Sequence, residues 1–290
     1  MSPHIDGVRV GHWTDPVGKT GCTVILFPPK TVASGEVRGG APATREFALL
    51  SPERTVENIH GLLLTGGSAF GLAAADGVVS CLEEDGIGFP TPAGPVPIVV
   101  AMSLYDLMEG DATVRPNSEH GRMAVREASS EIQVGQVGAG TGATVGKWRS
   151  REHRRSGGIG LGVAEKEEIK VVAIAAVNAL GEPDDGTASK SVLNGTFMNW
   201  PEHPSRSPFS SETNTTLISV ITNAKLSKMD SFLLSQSGHD GLARALFPPH
   251  LSSDGDAVVA AATGQVSAPS LDIVRALTVA AVEQAIQQSC

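Results

Sequence analysis

The chain has 290 residues, of which 22 are basic and 31 acidic, so its formal net charge is −9. This length suffices for a sizeable core in one or two domains, and the acidic balance argues against nucleic acid and anionic membranes as partners. The three cysteines lie far apart without CxxC spacing, which predicts neither a disulfide framework nor a cysteine zinc site. The N-terminal residues lack a signal pattern and no apolar run approaches the roughly 20 residues of a membrane span, so we expect a cytoplasmic protein.

The first half of the chain combines short apolar runs with helical segments. Residues 21–27 and 61–65 predict buried strands. Residues 69–84 are rich in alanine and leucine, and they predict a helix that Ser68 caps and Gly86 ends. Residues 117–129 predict a second helix.

The second half predicts three further strands, at residues 170–178, 217–222 and 257–262, and two helices, at residues 227–246 and 270–288. Two stretches look like loops: residues 148–157 contain four arginines, and residues 199–214 contain three prolines and four serines. The segment after Asn214 is too small to stand alone and would complete a sheet. Together with 33 glycines and few aromatic residues, this order predicts a layered α/β protein with helices outside the strands, in one domain over residues 1–290.

The junction at residues 214–216 carries the most specific sign of chemistry. The Ser- and Pro-rich stretch ends at Asn214, and a strand-like run follows almost at once. If the chain cleaved itself before Thr215, the freed α-amine, with a reference pKa of about 8, would lie beside the hydroxyl that it must deprotonate. The same residues also suit a plain boundary between loop and strand, since asparagine favours turns and threonine favours strands.

A glycine-rich stretch, residues 137–147, resembles a nucleotide-binding loop but fails its spacing. Thr141 and Trp148 stand where a Walker loop needs glycine and Ser or Thr, and Ala143 stands where the dinucleotide fingerprint needs its third glycine. What remains is a flexible loop that presents Lys147. Taken alone, a lysine after a glycine turn is more typical of the protein surface.

Other nucleophile and metal patterns are weak. Gly67 and Ser68 belong to a stretch that resembles the G-x-S-x-G nucleophile elbow, but Phe70 replaces its second glycine. The eight histidines form no HxxxH pair, and His239 is expected on a helix among polar neighbours. We expect neither a metal site nor a cofactor.

Asp254 and Asp256 place two carboxylates one residue apart, just before a predicted strand. On an extended backbone both would face the same side, so their charges would compete unless a cation or a shared proton lay between them. A protonated N-terminal amine is such a cation. An Asp-Gly turn with solvated carboxylates would give the same residues without any site.

Taken together, these segments resemble the DmpA/NylC family of self-processing N-terminal-nucleophile hydrolases, which includes aminopeptidases, β-aminopeptidases, nylon-oligomer hydrolases and the pantetheine hydrolase ThnT. The resemblance spans nearly the whole chain. It is carried, in the family's order, by residues 37–42, 64–72, 138–147, 177–178, 214–217 and 254–256. It implies a four-layer αββα sandwich in which self-cleavage between Asn214 and Thr215 leaves residues 1–214 and 215–290 in one folded unit.

The resemblance also implies roles for individual residues. Thr215 would be the nucleophile both in processing and in turnover on a small amide or peptide substrate. Asn178 would donate to the developing oxyanion, and Lys147 would orient and polarise Thr215. Asp254 and Asp256 would hold the amine of Thr215. Tyr105, Ser68 and Gly67 would belong to the substrate pocket, and the family's assembly implies a homo-oligomer.

Two departures bear on the substrate. Branches that cleave at Gly-Ser use serine and a Ser-Gly-Glu arrangement, whereas this chain has threonine and Asp-Gly-Asp, which is nearer to the nylon-oligomer and pantetheine hydrolases. In the aminopeptidase branch we expect an acidic residue two positions before the pocket tyrosine, but here that position is Ser103, although Asp106 is close in sequence. An aminopeptidase, or an unprocessed member of the fold that only binds a ligand, therefore remain alternatives.

Overall fold

The computed structural model describes residues 3–148, 154–195 and 214–290, and in these ranges two five-stranded sheets dominate. The first sheet contains, in spatial order, β1 (Arg9–Asp15), β2 (Thr20–Leu26), β5 (Gly61–Thr65), β8 (Val99–Ser103) and β4 (Ala43–Arg45). The second contains β11 (Gly158–Lys166), β12 (Ile169–Asn178), β14 (Thr215–Ala224), β16 (Ala257–Val266) and β3 (Val32–Val37).

Each sheet is antiparallel except for one parallel pair. In the first sheet β5 runs parallel to β8, and in the second β14 runs parallel to β16. A parallel pair needs a crossover, which is usually a helix. The crossovers here contain α2 (Ala74–Glu84) and α5 (Lys228–Ala245), respectively.

Alternation of side chains along the strands divides the core into three layers. Leu62 and Ile174, from facing sheets, belong to the layer between them. On the outer face of the first sheet, Leu63 and its neighbours pack against α2 and α3 (Ser118–Arg126). On the outer face of the second sheet, Ala173 and its neighbours pack against α5 and α6 (Leu271–Gln288). The result is an αββα sandwich, which confirms the expected fold.

The remaining elements are short and lie at the ends of the sheets. They are α1 (Ser68–Gly71), α4 (Thr187–Leu193), β6 (Phe89–Thr91), β7 (Gly94–Val96), β9 (Thr144–Val145), β10 (Arg155–Ser156), β13 (Glu182–Pro183), β15 (Leu246–Phe247) and two 3₁₀ turns, Phe47–Leu50 and Gly138–Gly140. None of the helices in the described ranges is long and apolar enough to cross a bilayer.

Local capping explains where the long helices begin. The side chains of Asn117, Ser227 and Ser270 accept backbone N–H groups in the first turns of α3, α5 and α6, as their sequence positions predict. The predicted cap at Ser68 is wrong. Gly67, at φ 77°, precedes α1, and Ser68 is itself in the left-handed region at φ 54°, without a side-chain capping bond.

The predicted helix at residues 69–84 is two helices, α1 and α2, because the chain turns between them. The predicted loop at residues 148–157 includes the short strand β10, and its residues 149–153 lie outside the described ranges. Of the predicted loop at residues 199–214, only Asn214 is described, and it forms a parallel bridge with Asp254.

Two glycines of β11 allow α6 to lie directly on the sheet. A Cβ atom at Gly160 would stand 1.8 Å from the carbonyl oxygen of Ala285, and one at Gly162 would stand 1.8 Å from that of Ala281. Neither oxygen belongs to a side chain that could rotate away. The close contact between β11 and α6 therefore requires glycine at both positions.

We expect Gly162→Ala to destabilise the fold by about 2 kcal/mol, because the added methyl group forces α6 away from β11. Thermal unfolding should show a midpoint lower by about 5 °C. Gly61→Ala is the matched control, since a Cβ there meets its nearest atoms at an ordinary 3.6 Å. Equal midpoints for the two variants would contradict this account of α6 packing.

Candidate active site

The candidate catalytic residues meet where β12 ends and β14 begins. Thr215, the first residue of β14, lies opposite Asn178, the last residue of β12. Asn178 is fully buried and Thr215 is 4% exposed. The strand thus begins at Thr215 rather than at Leu217, and the predicted nucleophile is a central strand residue of the second sheet.

The side-chain amide of Asn178 is held in one orientation by its neighbours. Its Oδ1 accepts hydrogen bonds from Lys147 Nζ at 2.9 Å and from the backbone N–H of Thr144 at 3.0 Å. Its Nδ2 donates to the backbone oxygen of Tyr105 at 2.8 Å. Because an amide oxygen accepts and an amide nitrogen donates, the two donors identify this atom as the oxygen of the side-chain amide. No acceptor among the described residues takes the second Nδ2 hydrogen.

Lys147 is buried, so its interpretation as a surface lysine is wrong. The side chain is 8% exposed and donates to both Oδ1 and the backbone oxygen of Asn178, the latter at 3.2 Å. Gly146, at φ 78°, turns the chain inward just before it. The segment is fixed on each side of Lys147, because Gly146 N–H donates to Gly181 at 2.8 Å and Trp148 N–H donates to Leu180 at 3.0 Å.

The carbonyl group of Asn214 is surrounded by groups that matter for cleavage. The hydroxyl of Thr215 makes a short hydrogen bond to the Asn214 oxygen. The backbone N–H of Gly255 donates to the same oxygen at 2.8 Å. A Cβ atom at Gly255 would lie 2.6 Å from Thr215 Oγ1, so only glycine brings this N–H so close.

Asp254 and Asp256 are both 2% exposed, which excludes the solvated turn, and they differ in their partners. Within the described ranges Asp254 accepts only backbone N–H groups, from Leu251 at 3.0 Å and Leu180 at 3.4 Å. Asp256 accepts the Thr216 N–H at 2.7 Å on one oxygen. Burial, and next the charge of Asp256, raises the pKa of Asp254 to about 7.

His250 is a site residue that the sequence did not indicate. Its Nδ1 lies 2.9 Å from the second oxygen of Asp256, and its backbone N–H donates to that oxygen at 3.1 Å. The ring of His239 lies edge-on to it, with centroids 4.9 Å apart. His239 lies on α5, as predicted, and it is fully buried there. No motif spacing marks either histidine, because their contact depends on the fold.

The predicted pocket residues lie after two neighbouring strands of the first sheet, Gly67 and Ser68 after β5 and Tyr105 after β8. Tyr105 touches the site through its backbone oxygen. Ser68 donates its N–H to Leu104 at 2.9 Å, and Gly67 donates to Asp106 at 2.7 Å. Asp106 is 2% exposed, and its other oxygen accepts from the Thr20 hydroxyl at 2.7 Å. Burial raises the pKa of Asp106 to about 6.

Asp106, the acid considered for gripping a substrate amine, is therefore used in the fold, and so is Ser103. One oxygen of Asp106 accepts the Gly67 N–H and the other accepts the Thr20 hydroxyl, while the hydroxyl of Ser103 bonds to the backbone oxygen of Ser68. Among the residues that the structure describes, no three histidine, cysteine or carboxylate side chains are grouped closely enough for a metal ion.

Comparison with known proteins places this chain in a family. The family model described as peptidase family S58 matches residues 4–290. The chain belongs to peptidase family S58. This confirms the resemblance to the DmpA/NylC group, and the protein is a hydrolase that acts on peptide or amide bonds.

The S58 chain is similar to curated proteins over most of its length. It is 38% identical over 292 residues to an uncharacterized aminopeptidase of Mycobacterium tuberculosis (strain ATCC 25618 / H37Rv), covering 91% of this chain and 82% of that protein. It is 26% identical over 280 residues to a 6-aminohexanoate-oligomer endohydrolase of Kocuria sp. (strain KY2), covering 91% of this chain and 75% of that protein.

Solved structures share the S58 fold. A β-aminopeptidase of Burkholderia sp. superposes with a TM-score of 0.72 at 22% identity, covering all of this chain and 86% of the other. The L-aminopeptidase D-Ala-esterase/amidase of Ochrobactrum anthropi, described as a variant of the Ntn hydrolase fold, gives 0.70 at 19% identity, covering 98% and 84%.

The buried Asp254 should make stability depend on pH. Because its pKa is raised above that of the unfolded chain, the native state keeps a proton that the unfolded state has lost, and stability falls as pH rises from about 4 to about 7. Between pH 6 and 7 the slope due to Asp254 should fall from about 1.2 to about 0.7 kcal/mol per pH unit. Urea unfolding of the Thr215→Ala chain measures it.

Asp254→Asn should flatten this slope, whereas Asp85→Asn, at an exposed aspartate, should leave it unchanged. Below pH 6 the raised pKa of Asp106 adds a slope of the same sign, so the comparison belongs above that pH. A slope that survives in Asp254→Asn would show that another group takes up the proton.

Proposed function

We propose that this S58 peptidase is a self-processing amidohydrolase whose nucleophile is Thr215. Cleavage before Thr215 gives an α chain of residues 1–214 and a β chain of residues 215–290 within one fold. The mature site then hydrolyses a small peptide-like or ω-amino-acid amide through an acyl-enzyme. The homo-oligomer implied by the family resemblance remains a prediction.

The arrangement at the Asn214 carbonyl carries this proposal. The Thr215 hydroxyl touches the carbonyl oxygen, and the Gly255 N–H donates to that oxygen. A donor placed on this oxygen stabilises the negative charge that develops when the carbonyl carbon is attacked. The bond to be broken is therefore already polarised, with the nucleophile beside it.

Processing follows from these contacts. The hydroxyl oxygen of Thr215 attacks the carbonyl carbon of Asn214, the C–N bond between the two residues breaks, and the hydroxyl proton ends on the leaving nitrogen. The resulting ester is opened by water, which gives a carboxylate on Asn214 and restores the hydroxyl. The new α-amine is then the base next to the hydroxyl.

Turnover uses the same hydroxyl against an external amide. The amine of Thr215 takes the hydroxyl proton, and the second Nδ2 hydrogen of Asn178 stabilises the oxyanion. Lys147 keeps Asn178 in the orientation that presents this hydrogen. Asp254 and Asp256 supply the negative charge that binds the amine in its protonated form.

The substrate class rests on two observations that point in different directions. The greater identity, 38%, is to proteins named aminopeptidases, while the oligomer endohydrolases are 26% identical. In contrast, Ser103 stands where the aminopeptidase branch is expected to have an acid to grip the substrate amine, and both oxygens of Asp106 are used within the fold, by Gly67 and Thr20. We therefore favour small amides for which such a grip is not needed.

Intact mass spectrometry of the purified protein tests processing. The wild type should give two fragments that divide before Thr215, and Thr215→Ala should remain one chain because it lacks the nucleophile. Thr215→Ser is the matched variant, since it keeps the hydroxyl and should still divide at the same bond. An intact wild-type chain after prolonged incubation would rule out processing and leave a ligand-binding member of the fold.

A panel of para-nitroanilides with α-, β- and ω-amino acyl groups, together with pantetheine, tests the substrate class. Release from the ω- or β-amino compounds is expected to exceed release from the α-amino ones. Inactivity of the processed enzyme on the whole panel would contradict the proposed substrate class.

Asn178→Ala should lower kcat by about 10²-fold or more through loss of the oxyanion donor. Full activity of Asn178→Ala would contradict the role proposed for Asn178.

A further inference from the structure

His250 is hydrogen-bonded to Asp256 in the candidate site but has no part in the reaction proposed above. It lies in the segment between β15 and β16, and its side chain is 17% exposed. Its backbone N–H and its Nδ1 both form hydrogen bonds to the same oxygen of Asp256, at 3.1 and 2.9 Å. One residue thus supplies two hydrogen bonds to one catalytic carboxylate.

We propose that His250 is a positioning residue that holds Asp256 in a single orientation beside Thr215. The inference rests on the proposed function of Asp256, but it concerns His250, which is not one of the residues assigned a role in the reaction above. His250 acts through Asp256 and does not touch the reacting atoms.

The hydrogen bonds determine the orientation. With Oδ2 held by the two N–H groups of His250, Oδ1 of Asp256 faces the start of β14 and accepts the Thr216 N–H at 2.7 Å. The carboxylate oxygen accepts the hydrogen bond, so Nδ1 carries the proton of the imidazole. Three N–H donors thus hold the two oxygens of the carboxylate in place.

The two aspartates are thereby made unequal. Asp254 has only two backbone donors, one of them at 3.4 Å, and no side-chain donor among the described residues. Its pKa is raised to about 7 by burial and next by the charge on Asp256. The His250 side chain is thus a donor that Asp256 has and that Asp254 lacks among the described residues.

The other groups facing His250 do not compete for this role. His239 lies edge-on to the ring, donates from Nε2 to the backbone oxygen of Glu36 at 3.0 Å, and is kept neutral because burial lowers its pKa to about 4. Behind it, Arg38 is paired with Glu36 at 2.9 Å and with Asp240 at 3.7 Å. Asp256 is the only group hydrogen-bonded to His250 Nδ1 in the described part of the chain.

Two substitutions distinguish the effect of the Nδ1 hydrogen bond from that of the imidazole ring of His250. His250→Ala keeps the backbone N–H and removes the Nδ1 donor. His250→Asn keeps a side-chain N–H donor near the position of Nδ1, does not titrate, and tolerates the φ of 54° at this position. His60→Ala is the control, because it removes a histidine from another part of the first sheet. His60 lies just before β5, whereas Gly66 and Gly67 follow the other end of that strand.

Amide hydrogen exchange in the uncleaved Thr215→Ala chain tests the inference without any activity. Loss of the Nδ1 donor frees Asp256, so exchange at the Thr216 N–H should be about tenfold faster in His250→Ala. It should stay near the wild-type rate in His250→Asn and in His60→Ala. Unchanged exchange in His250→Ala, or equal acceleration in both His250 variants, would overturn the proposal.

The rate of chain cleavage, followed by mass spectrometry after cell-free synthesis, gives a second readout. Cleavage should slow about tenfold in His250→Ala, because Asp256 loses the donor that orients it, and should stay near the wild-type rate in His250→Asn, which keeps a donor. An equal loss of rate in both variants would instead assign His250 to the stability of its loop. If wild-type protein is never cleaved, the proposed function fails, while the exchange experiment still decides the role of His250.

Discussion

The register between β12 and β14 is the constraint on which the site depends. It places Thr215 opposite Asn178 at one end of the second sheet, and the parallel pairing of β14 with β16 brings the preceding Asp-Gly-Asp segment to the same end. A slip of one residue would turn every side chain of β14 to the other face. Because both faces of this strand are buried in different core layers, such a slip is strongly disfavoured, and the core therefore fixes the geometry of the site.

Burying this much charge has a cost that the network of hydrogen bonds offsets. Lys147, Asp254 and Asp256 are each at least nine-tenths buried, and a buried ion without partners destabilises a fold by several kcal/mol. Lys147 bonds to an amide and a backbone oxygen, and the carboxylates bond to N–H groups of several loops. Those loops must be in place before the charges are tolerated, so the site and the sheet ends stabilise each other.

How much of this was predictable from sequence depends on how local each feature is. The strand 61–65 and the helices capped by Asn117 and Ser227 follow from neighbouring residues, and the structure confirms them. Ser68 failed as a cap because it is in the left-handed region, at φ 54°, without a side-chain capping bond, and its N–H bonds to Leu104, which is distant in sequence. Family resemblance brought Thr215, Asn178 and Lys147 together, but it gave no signal for His250. Its contact with Asp256 arises from the turn between two strands, which no periodicity encodes.

The position of Thr215 also explains why cleavage would leave a working site. A new N-terminus normally frays, but this one is the first residue of a strand paired on both sides, by β12 and by β16. Lys228 also connects residues 215–290 to the part of the chain before the cleavage point. Its ammonium donates to the backbone oxygens of Leu49, Arg54 and Val56 at 2.7–2.9 Å. The freed amine would therefore stay beside the hydroxyl and the carboxylates, and the order imposed by the fold would replace the covalent bond that had held it there.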